Sequence, residues 1–381
     1  MLRTLLPFIV ILPAVAYSLL SLISARNFFR SSIPGYHPTV PDVTILKPLK
    51  GMDEDSYANF ATFCQQEYPA EVQLLFSVAS AEDPVISVIQ RLTEEFPDQD
   101  IALIVNPAIH GPNYKVSNLI NSYPKAKHDI IIICDSDIRV TPDYLSRVVA
   151  HFNDPGVGLV TSLYRTSSVH GLATAIEATG FTTEMIPNVM VALQLEGLSF
   201  ALGASMAVRR EALAAIGGFE TLAHYLADDY QLGNKVHSAG WRIALDRCFV
   251  ESMVKKAEDL PTVFSRQLRW ARTMRISRPG GYLASGITFP FPAAVLAAFL
   301  ASGTSSALTA IGLLYAVRLT VNTYFSRTLV QDHLLPRWLW LIPLRDMLSF
   351  FSWALSFLGN SVEWRGNRFR LKPGGKLEEI V

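Results

Sequence analysis

A run of 39 residues, 279–317, carries no charged side chain. As one helix it would rise about 58 Å, close to twice the ~30 Å hydrocarbon core of a bilayer. A run of this kind predicts that part of the chain sits in lipid. Ser302-Gly303-Thr304-Ser305-Ser306 reads as a turn near its middle, which predicts two crossings, near 282–302 and 305–325. A second uncharged stretch, the 22 residues 4–25, is bracketed by Arg3 and by Arg26 and Arg30. It spans about 33 Å and reads as an N-terminal anchor within residues 1–30. A cleaved signal peptide is the competing reading, but the run exceeds the usual apolar core of about 7–15 residues. Arg26 and Arg30 predict a cytoplasmic location for the domain C-terminal to this anchor. A third segment, 334–358, contains Pro343, Arg345 and Asp346 and reads either as a crossing or as a kinked interfacial or re-entrant piece. Residues 282–360 are thus expected to form a C-terminal membrane region with about two to three crossings. Residues 361–381 read as a basic tail whose Arg365, Arg368, Arg370, Lys372 and Lys376 favour the cytoplasm. Three crossings would put that tail on the opposite side, and the sequence leaves this conflict open.

The rest of the chain has a different character. Charge is scarce, at 17% of residues, and balanced: 33 Lys and Arg against 33 Asp and Glu. Zero net charge argues against a general nucleic-acid binder and against a charged disordered chain. Cys64, Cys134 and Cys248 lie far apart with no CxxC pair, so a zinc ribbon or disulfide scaffold is not expected. The eight histidines show no HxH or HxxxH spacing, which argues against a histidine-built metal site. Residues 40–258 have soluble composition and alternate apolar runs with helix-like stretches. Strands are expected at 43–46, 72–78, 101–105 and 130–134, with helices at 54–67, 84–96 and 230–238. This order predicts an α/β domain around a mostly parallel sheet covered on both faces.

The chemistry gathers where these strands end. Ile130-Ile131-Ile132-Ile133-Cys134 reads as a fully buried strand, and Asp135-Ser136-Asp137 comes directly after it. In open α/β sheets ligands bind beyond the carboxyl ends of strands. If the backbone stays extended, Asp135 and Asp137 point the same way and can share one divalent ion, which takes hard oxygen ligands and keeps positions for phosphates. Asp83 comes after the 72–78 strand and precedes Pro84, a helix-start pattern that also sits on a functional loop. Asp228-Asp229 precede a helix, where charge at a helix terminus is the simpler reading. Gly111-Pro112-Asn113-Tyr114-Lys115 puts a loop and a lysine before a helix, as a diphosphate contact would need. Residues 259–281 read as an amphipathic interfacial segment carrying Arg266-Gln267-Leu268-Arg269-Trp270. Its Arg266, Arg269, Arg272, Arg275 and Arg278 form a slowly rotating stripe that suits either lipid headgroups or an active site.

Taken in order, Asp83, Asp135 with Asp137, Asp229 and Arg266-x-x-Arg269-Trp270 resemble the D, D/DxD, D, (Q/R)xxRW signature of inverting family 2 and family 21 glycosyltransferases. Leu46-Lys47-Pro48-Leu49-Lys50-Gly51, Gly203-Ala204-Ser205-Met206 and the tail 364–371 narrow the resemblance to the ceramide glucosyltransferase-like family, over about 43–372. Animal members read DSG where this chain reads DSD, which brings it nearer the bacterial branch with its hopanoid-associated enzymes. The resemblance implies a GT-A fold, and a UDP-sugar donor with a membrane-lipid acceptor, either ceramide or a hopanoid polyol. Lys47, Pro48 and Leu49 would line the uridine site, Asp83 would contact the nucleotide, and Lys115 and Arg266 would bind substrate. Asp135 and Asp137 would hold Mg2+ or Mn2+. Asp229 would be the general base beside Asp228, with Arg269 and Trp270 on the diphosphate and acceptor side. It also implies a bacterial inner-membrane location with a cytoplasmic catalytic domain, and no obligate protein partner or nucleic acid. A processive polysaccharide synthase and a polyprenyl-phosphate sugar transferase share these acids and are the competing enzyme classes. A non-enzymatic lipid-binding scaffold would leave the ordered acids unexplained.

Overall fold

A computed structural model describes residues 2–31, 40–53, 55–166, 168–253, 258–300, 305–364 and 366–380. The first element is the helix α1 (Leu2–Arg30). The sheet domain then opens with β1 (Val43–Pro48), α2 (Ser56–Cys64), β2 (Val72–Val78), α3 (Val85–Glu95), β3 (Asp100–Val105), α4 (Tyr114–Ser122) and β4 (Ile130–Cys134). These strands match the expected ones within one or two residues. They are legible because a strand buried on both faces needs apolar residues at nearly every position. The domain continues through β5 (Ile138–Arg139), α5 (Tyr144–Ala150), β6 (Val157–Arg165), α6 (Leu172–Gly180), α7 (Ile186–Glu196), β7 (Ser205–Arg209), α8 (Arg210–Ala215), α9 (Asp228–Ser238) and β8 (Arg242–Ser252).

The eight strands are ordered β3-β2-β1-β4-β7-β6-β8-β5. The β3-β2-β1-β4 half is parallel, as expected. The other half is mixed: β7 runs antiparallel to both β4 and β6, and β5 is antiparallel to β8. Period-two alternation divides the core. Ile131 and Ile133 join Leu46, Leu75, Met206 and Val208 on one face, while Ile130, Ile132 and Cys134 join Ile45, Phe76 and Tyr144 on the other. The antiparallel β4–β7 pairing sets Cys134 opposite Ser205, so the start of β7 lies beside the acids at the end of β4.

The C-terminal helical half is built from α10 (Leu260–Ser277), α11 (Pro279–Ser285), α12 (Pro290–Leu300), α13 (Ser305–Tyr324), α14 (Leu335–Trp338) and α15 (Ile342–Ser356). Asp259 caps α10, its carboxylate accepting the Thr262 N–H at 2.9 Å. Among the described residues one helix, Thr4–Arg30, is long and apolar enough to cross a membrane alone. Leu5, Ile9, Leu12, Leu19 and Ile23 are exposed on it, as a lipid-facing helix requires. The stretch 279–300 passes the same test only as two pieces bent by 48°. The predicted turn at 302–304 lies outside the described residues, as do Glu54 and Arg365. The segment 334–358 is not one straight crossing. Pro336 and Pro343 start separate helices, and α15 alone is about 22 Å long, short of the ~30 Å core.

The basic tail is a folded element. It forms an antiparallel sheet of β9 (Ser361–Trp364), β10 (Asn367–Leu371) and β11 (Leu377–Glu379). Leu377 donates its N–H to the His224 carbonyl at 2.7 Å, within the catalytic domain. The tail therefore packs against the catalytic domain.

Candidate active site

Three loops meet beyond the carboxyl end of β4. Asp135 and Asp137 occupy a turn rather than extended backbone, because the Ile138 N–H returns to the Asp135 carbonyl at 3.4 Å. The premise that alternate residues share a direction in a strand does not apply here, yet the two charges still meet. Burial first, and then the Asp135 charge, push the Asp137 carboxyl up to about 6. Ser252 Oγ donates to Asp137 Oδ2 at 3.1 Å, and Met253 N donates to the Asp137 carbonyl at 2.9 Å. The end of β8 thus sets the second acid of the pair.

Lys115 connects the acids. Its ammonium lies 2.8 Å from Asp135 Oδ1 and 3.1 Å from Asp228 Oδ2. Burial would lower its pKa, but Asp135 and Asp228 outweigh burial and hold it above the ordinary lysine value. Asp228 and Asp229 form the first turn of α9, as their acidic pattern predicts. Burial, and after it the Asp228 charge, push Asp229 up to about 6 against the opposing pull of Lys115. Gly203 leaves room for this acid, since a Cβ there would stand 2.8 Å from Asp229 Oδ2. Ala204 next to it accepts the Asp135 N–H at 3.3 Å. The Gly203-Ala204-Ser205-Met206 motif therefore has a physical cause: it runs between the two acid pairs.

Several expected residues take other places. Lys47, Pro48 and Leu49 are all buried. The Lys47 side chain does not open toward a donor. It runs beneath the turn, its ammonium donating to the Asp135 carbonyl at 3.0 Å and lying 3.9 Å from the centre of the Phe63 ring. Burial pushes it down to about 8, against Cys134, Asp135 and Asp137. Asp83 uses both oxygens within the protein: Oδ2 accepts from Gly51 N at 2.9 Å and Oδ1 from Val85 N at 3.0 Å. It ties the loop after β1 to the start of α3. Gly51 has φ +74°, a conformation that suits glycine. Arg266 is taken up by two carboxylates: Nε lies 2.7 Å from Glu177 Oε1, and Nη1 lies 2.9 Å from Glu258 Oε1. Trp270 is 36% exposed on α10, and Arg269 shares that helix, its carbonyl accepting from Thr273 Oγ1 at 2.8 Å. The arginine stripe, which suits either lipid headgroups or an active site, is largely turned to protein. Arg272 donates to the Ser361 carbonyl, Arg275 to the Gly359 carbonyl at 3.1 Å, and Arg278 to Glu196 at 2.7 Å.

Asn113, to which the sequence pattern assigns no role of its own, is fully buried. Its Oδ1 caps α4 by accepting the Val116 N–H at 3.1 Å, while Nδ2 donates to the Tyr225 carbonyl at 2.8 Å and reaches Asp228 Oδ1 at 3.4 Å. An Asn one residue before a helix is the signal that marks it. Glu177 escapes a reading of the sequence because a lone glutamate in an apolar stretch has no local pattern, and Glu258 because it sits among other charges, Lys255, Lys256 and Asp259.

Four carboxylates, Asp135, Asp137, Asp228 and Asp229, thus face two ammonium groups, Lys47 and Lys115. The excess negative charge fits a divalent cation held by Asp135 and Asp137, whose hard oxygens are the donors Mg2+ or Mn2+ takes. A second group, Asp42, Glu71 and His128, has ligand atoms within 4.8 Å of one another, but it lies at the opposite edge of the sheet, before β1, β2 and β4.

An α/β sheet with paired acids at its switch between parallel and antiparallel halves defines a nucleotide-sugar type of fold. The solved mannosyltransferase PcManGT from Pyrobaculum calidifontis, in complex with GDP-Man and Mn2+, has this fold. It aligns over 91% of this chain and 99% of its own, with a TM-score of 0.58 and 20% identity. The fold is GT-A, and the protein is a glycosyltransferase. The pattern of glycosyl transferase family 21 matches residues 6–377, and the chain belongs to that family. It is similar to ceramide glucosyltransferase 1 of Caenorhabditis elegans, at 26% identity over 94% of this chain and 79% of the relative. Ceramide glucosyltransferase 3 of the same organism is 24% identical over 89% of this chain and 74% of its own length. A ceramide glucosyltransferase of Komagataella phaffii is 32% identical over 39% of this chain and 31% of its own length.

Proposed function

We propose that this membrane-associated enzyme is an inverting hexosyltransferase. It moves glucose or N-acetylglucosamine from a UDP-sugar onto a hydroxyl of a membrane lipid, either a ceramide or a hopanoid polyol. The observation that carries the reading is the Asp135–Lys115–Asp228 bridge, which joins the acids suited to a metal to the acids suited to a base. The ceramide glucosyltransferase relatives support a lipid acceptor.

Mg2+ or Mn2+, held by Asp135 and Asp137, would stabilise charge on the diphosphate of the donor. Lys115 lies between the acid pairs, where the diphosphate acquires negative charge as it leaves. Asp229 accepts the proton of the acceptor hydroxyl as that oxygen attacks the anomeric carbon. The new C–O bond forms opposite the breaking sugar–phosphate bond, so one displacement converts an α-linked donor into a β-glycoside. Asp228 stays paired to Lys115 and keeps its neighbour from sharing that cation fully. Asp83 shapes the nucleotide loop through Gly51, and Lys47 supports the metal turn from below. Arg269 and Trp270 would contact the diphosphate and the acceptor. Arg26 and Arg30 favour a cytoplasmic catalytic domain, and the DSD triplet favours a bacterial inner membrane.

The test uses purified protein in vesicles containing ceramide or a hopanoid polyol, with UDP-glucose or UDP-N-acetylglucosamine and Mg2+ or Mn2+. UDP release that depends on one lipid, with a single added hexose by mass spectrometry, is the expected result. A growing sugar polymer would identify a processive synthase instead.

A further inference from the structure

The N-cap residue of the catalytic helix α9 is Ala227, which has no side-chain oxygen to accept the first free N–H groups. Asp229 Oδ1 accepts the Tyr230 N–H at 2.7 Å, so the local acceptor is the catalytic acid itself, and the loop before it is held by neighbouring elements. Asn113 holds one side through the Tyr225 carbonyl. The C-terminal sheet holds the other.

Three contacts join that sheet to residues 224–231. Leu377 N donates to the His224 carbonyl at 2.7 Å. Tyr225 and Lys376 pair as an antiparallel bridge. Gln231 Nε2 donates to the Gly374 carbonyl at 3.4 Å. Between these polar anchors Leu226 is buried among Val362, Phe369, Leu371 and Leu377. The same sheet is tied to α10. Arg272 bonds the carbonyl of Ser361 and Arg275 that of Gly359 just before the sheet, while α9 also reaches α10 directly, the Tyr230 hydroxyl donating to the Ser277 carbonyl at 3.2 Å. The alternation of the tail, with Phe369 and Leu371 inward and Arg368 and Arg370 outward, is what lets it form this clamp.

We propose that the three-stranded C-terminal sheet is a positioning element for glycosyl transfer. It clamps the 224–231 loop so that Asp229 meets the acceptor hydroxyl, and it couples that placement to α10 at the membrane. The inference rests on Asp229 being the base. A displacement of about 1 Å at such a group costs on the order of 100-fold in rate, so the clamp acts on turnover and not on donor affinity.

The experiment uses the full chain in lipid vesicles, below the unfolding temperature measured for each variant. Phe369→Ala removes the centre of the cluster. Transfer kcat should fall about tenfold or more, with the dissociation constant for UDP-sugar within about twofold. The same variant then receives Tyr225→Cys and Lys376→Cys. Antiparallel partners have Cα atoms about 4.5–5.5 Å apart, within reach of a disulfide. The variant also carries Cys248→Ser, and Cys64 and Cys134 are buried. Oxidation with diamide should restore kcat, and a reductant should remove it again. Wild-type kcat in folded Phe369→Ala overturns the inference, as does a loss that the closed disulfide fails to restore. Asp229→Asn separates the two ideas. Normal transfer by that variant overturns the base assignment and this inference together. A dead Asp229→Asn beside a normal Phe369→Ala overturns this inference alone.

Discussion

The two halves of the molecule bury charge in opposite ways. In the C-terminal helical half Arg266, Arg318 and Arg345 are each met by carboxylates. Arg318 Nη2 lies 2.5 Å from Asp346 Oδ1, Arg345 Nη2 lies 2.8 Å from Glu184 Oε2, and Arg266 is divided between Glu177 and Glu258. In the catalytic half Asp135, Asp137, Asp228 and Asp229 outnumber the two lysines beside them. Balanced pairs hold helices together where unpaired charge is most expensive. An unbalanced cluster keeps free-energy cost in the protein until a cation or a proton arrives, and this marks it as the place where chemistry happens.

The comparison breaks most clearly at Asp229. Asp229→Asn keeps the shape of the side chain and cannot accept a proton. Transfer should fall by about 10²–10⁴-fold, the usual contribution of a positioned base. UDP-sugar binding, read by calorimetry, should survive. If Asp229→Asn turns over normally and Asp228→Asn is dead, the base is the neighbour.

The paired half should respond through stability instead. Arg318→Met leaves Asp346 buried alone, and breaking such a pair costs about 3–5 kcal/mol. Arg318→Met combined with Asp346→Leu should recover most of that loss, because a buried pair is worth little more than apolar residues of similar volume. Thermal unfolding in detergent gives both values. The same double replacement at Lys115 and Asp228 should abolish transfer, and it should recover less stability, because Lys115 also pairs with Asp135. A double variant at 318 and 346 that remains as unstable as the single one would show that this pair is more than a brace.

The ease of reading the two halves from sequence tracks the same division. β4 and its acids are legible because four consecutive isoleucines have one explanation, a strand covered on both faces, and such strands end at ligands. The family signature supplies the order of the acids, while their meeting point at Lys115 comes only with the fold. The C-terminal helical half is legible in composition but not in arrangement. Arg345 and Asp346 in an apolar segment read equally well as an interfacial piece or a crossing, since their partners Glu184 and Arg318 lie far away in sequence. The tail reads by its charges, and these occupy the outer face of a sheet. Its inward residues, Val362, Phe369, Leu371 and Leu377, are too few and too short a run to announce a strand pattern.

The unbalanced half should also show itself in pH dependence. Asp229 titrates near 6 and works as a base only when ionised. The transfer rate should fall as pH drops through about 6, toward tenfold per unit. Stability should move the other way. Asp137 and Asp229 have folded pKa values above the ordinary carboxylate value of about 3.9. Their contribution is fully present below that value and is lost as pH rises through about 6. Chelated protein should therefore lose on the order of 1–3 kcal/mol between pH 4 and pH 7 from these groups. Added Mg2+ or Mn2+ should recover more stability at pH 7.5 than at pH 5. Equal metal effects at both values would mean that the ion does not bind ionised Asp137.

Trp270 carries the smallest expected effect. It is 36% exposed on α10, beside Arg269 and four residues beyond the paired Arg266. A half-exposed tryptophan at a membrane surface settles at the headgroup level, with its ring in the apolar layer and its N–H toward water. Trp270→Ala removes that contact without disturbing a buried pair, so the helix should stay in place. The loss belongs to acceptor access and not to donor binding. The apparent KM for lipid in vesicles should rise a few-fold, equivalent to about 1 kcal/mol, with the UDP-sugar dissociation constant unchanged. Trp270→Phe should recover most of the effect if the ring alone matters. A fall in donor affinity of the same size would place Trp270 within the nucleotide-sugar site, and would move the boundary between the two halves to the other side of α10.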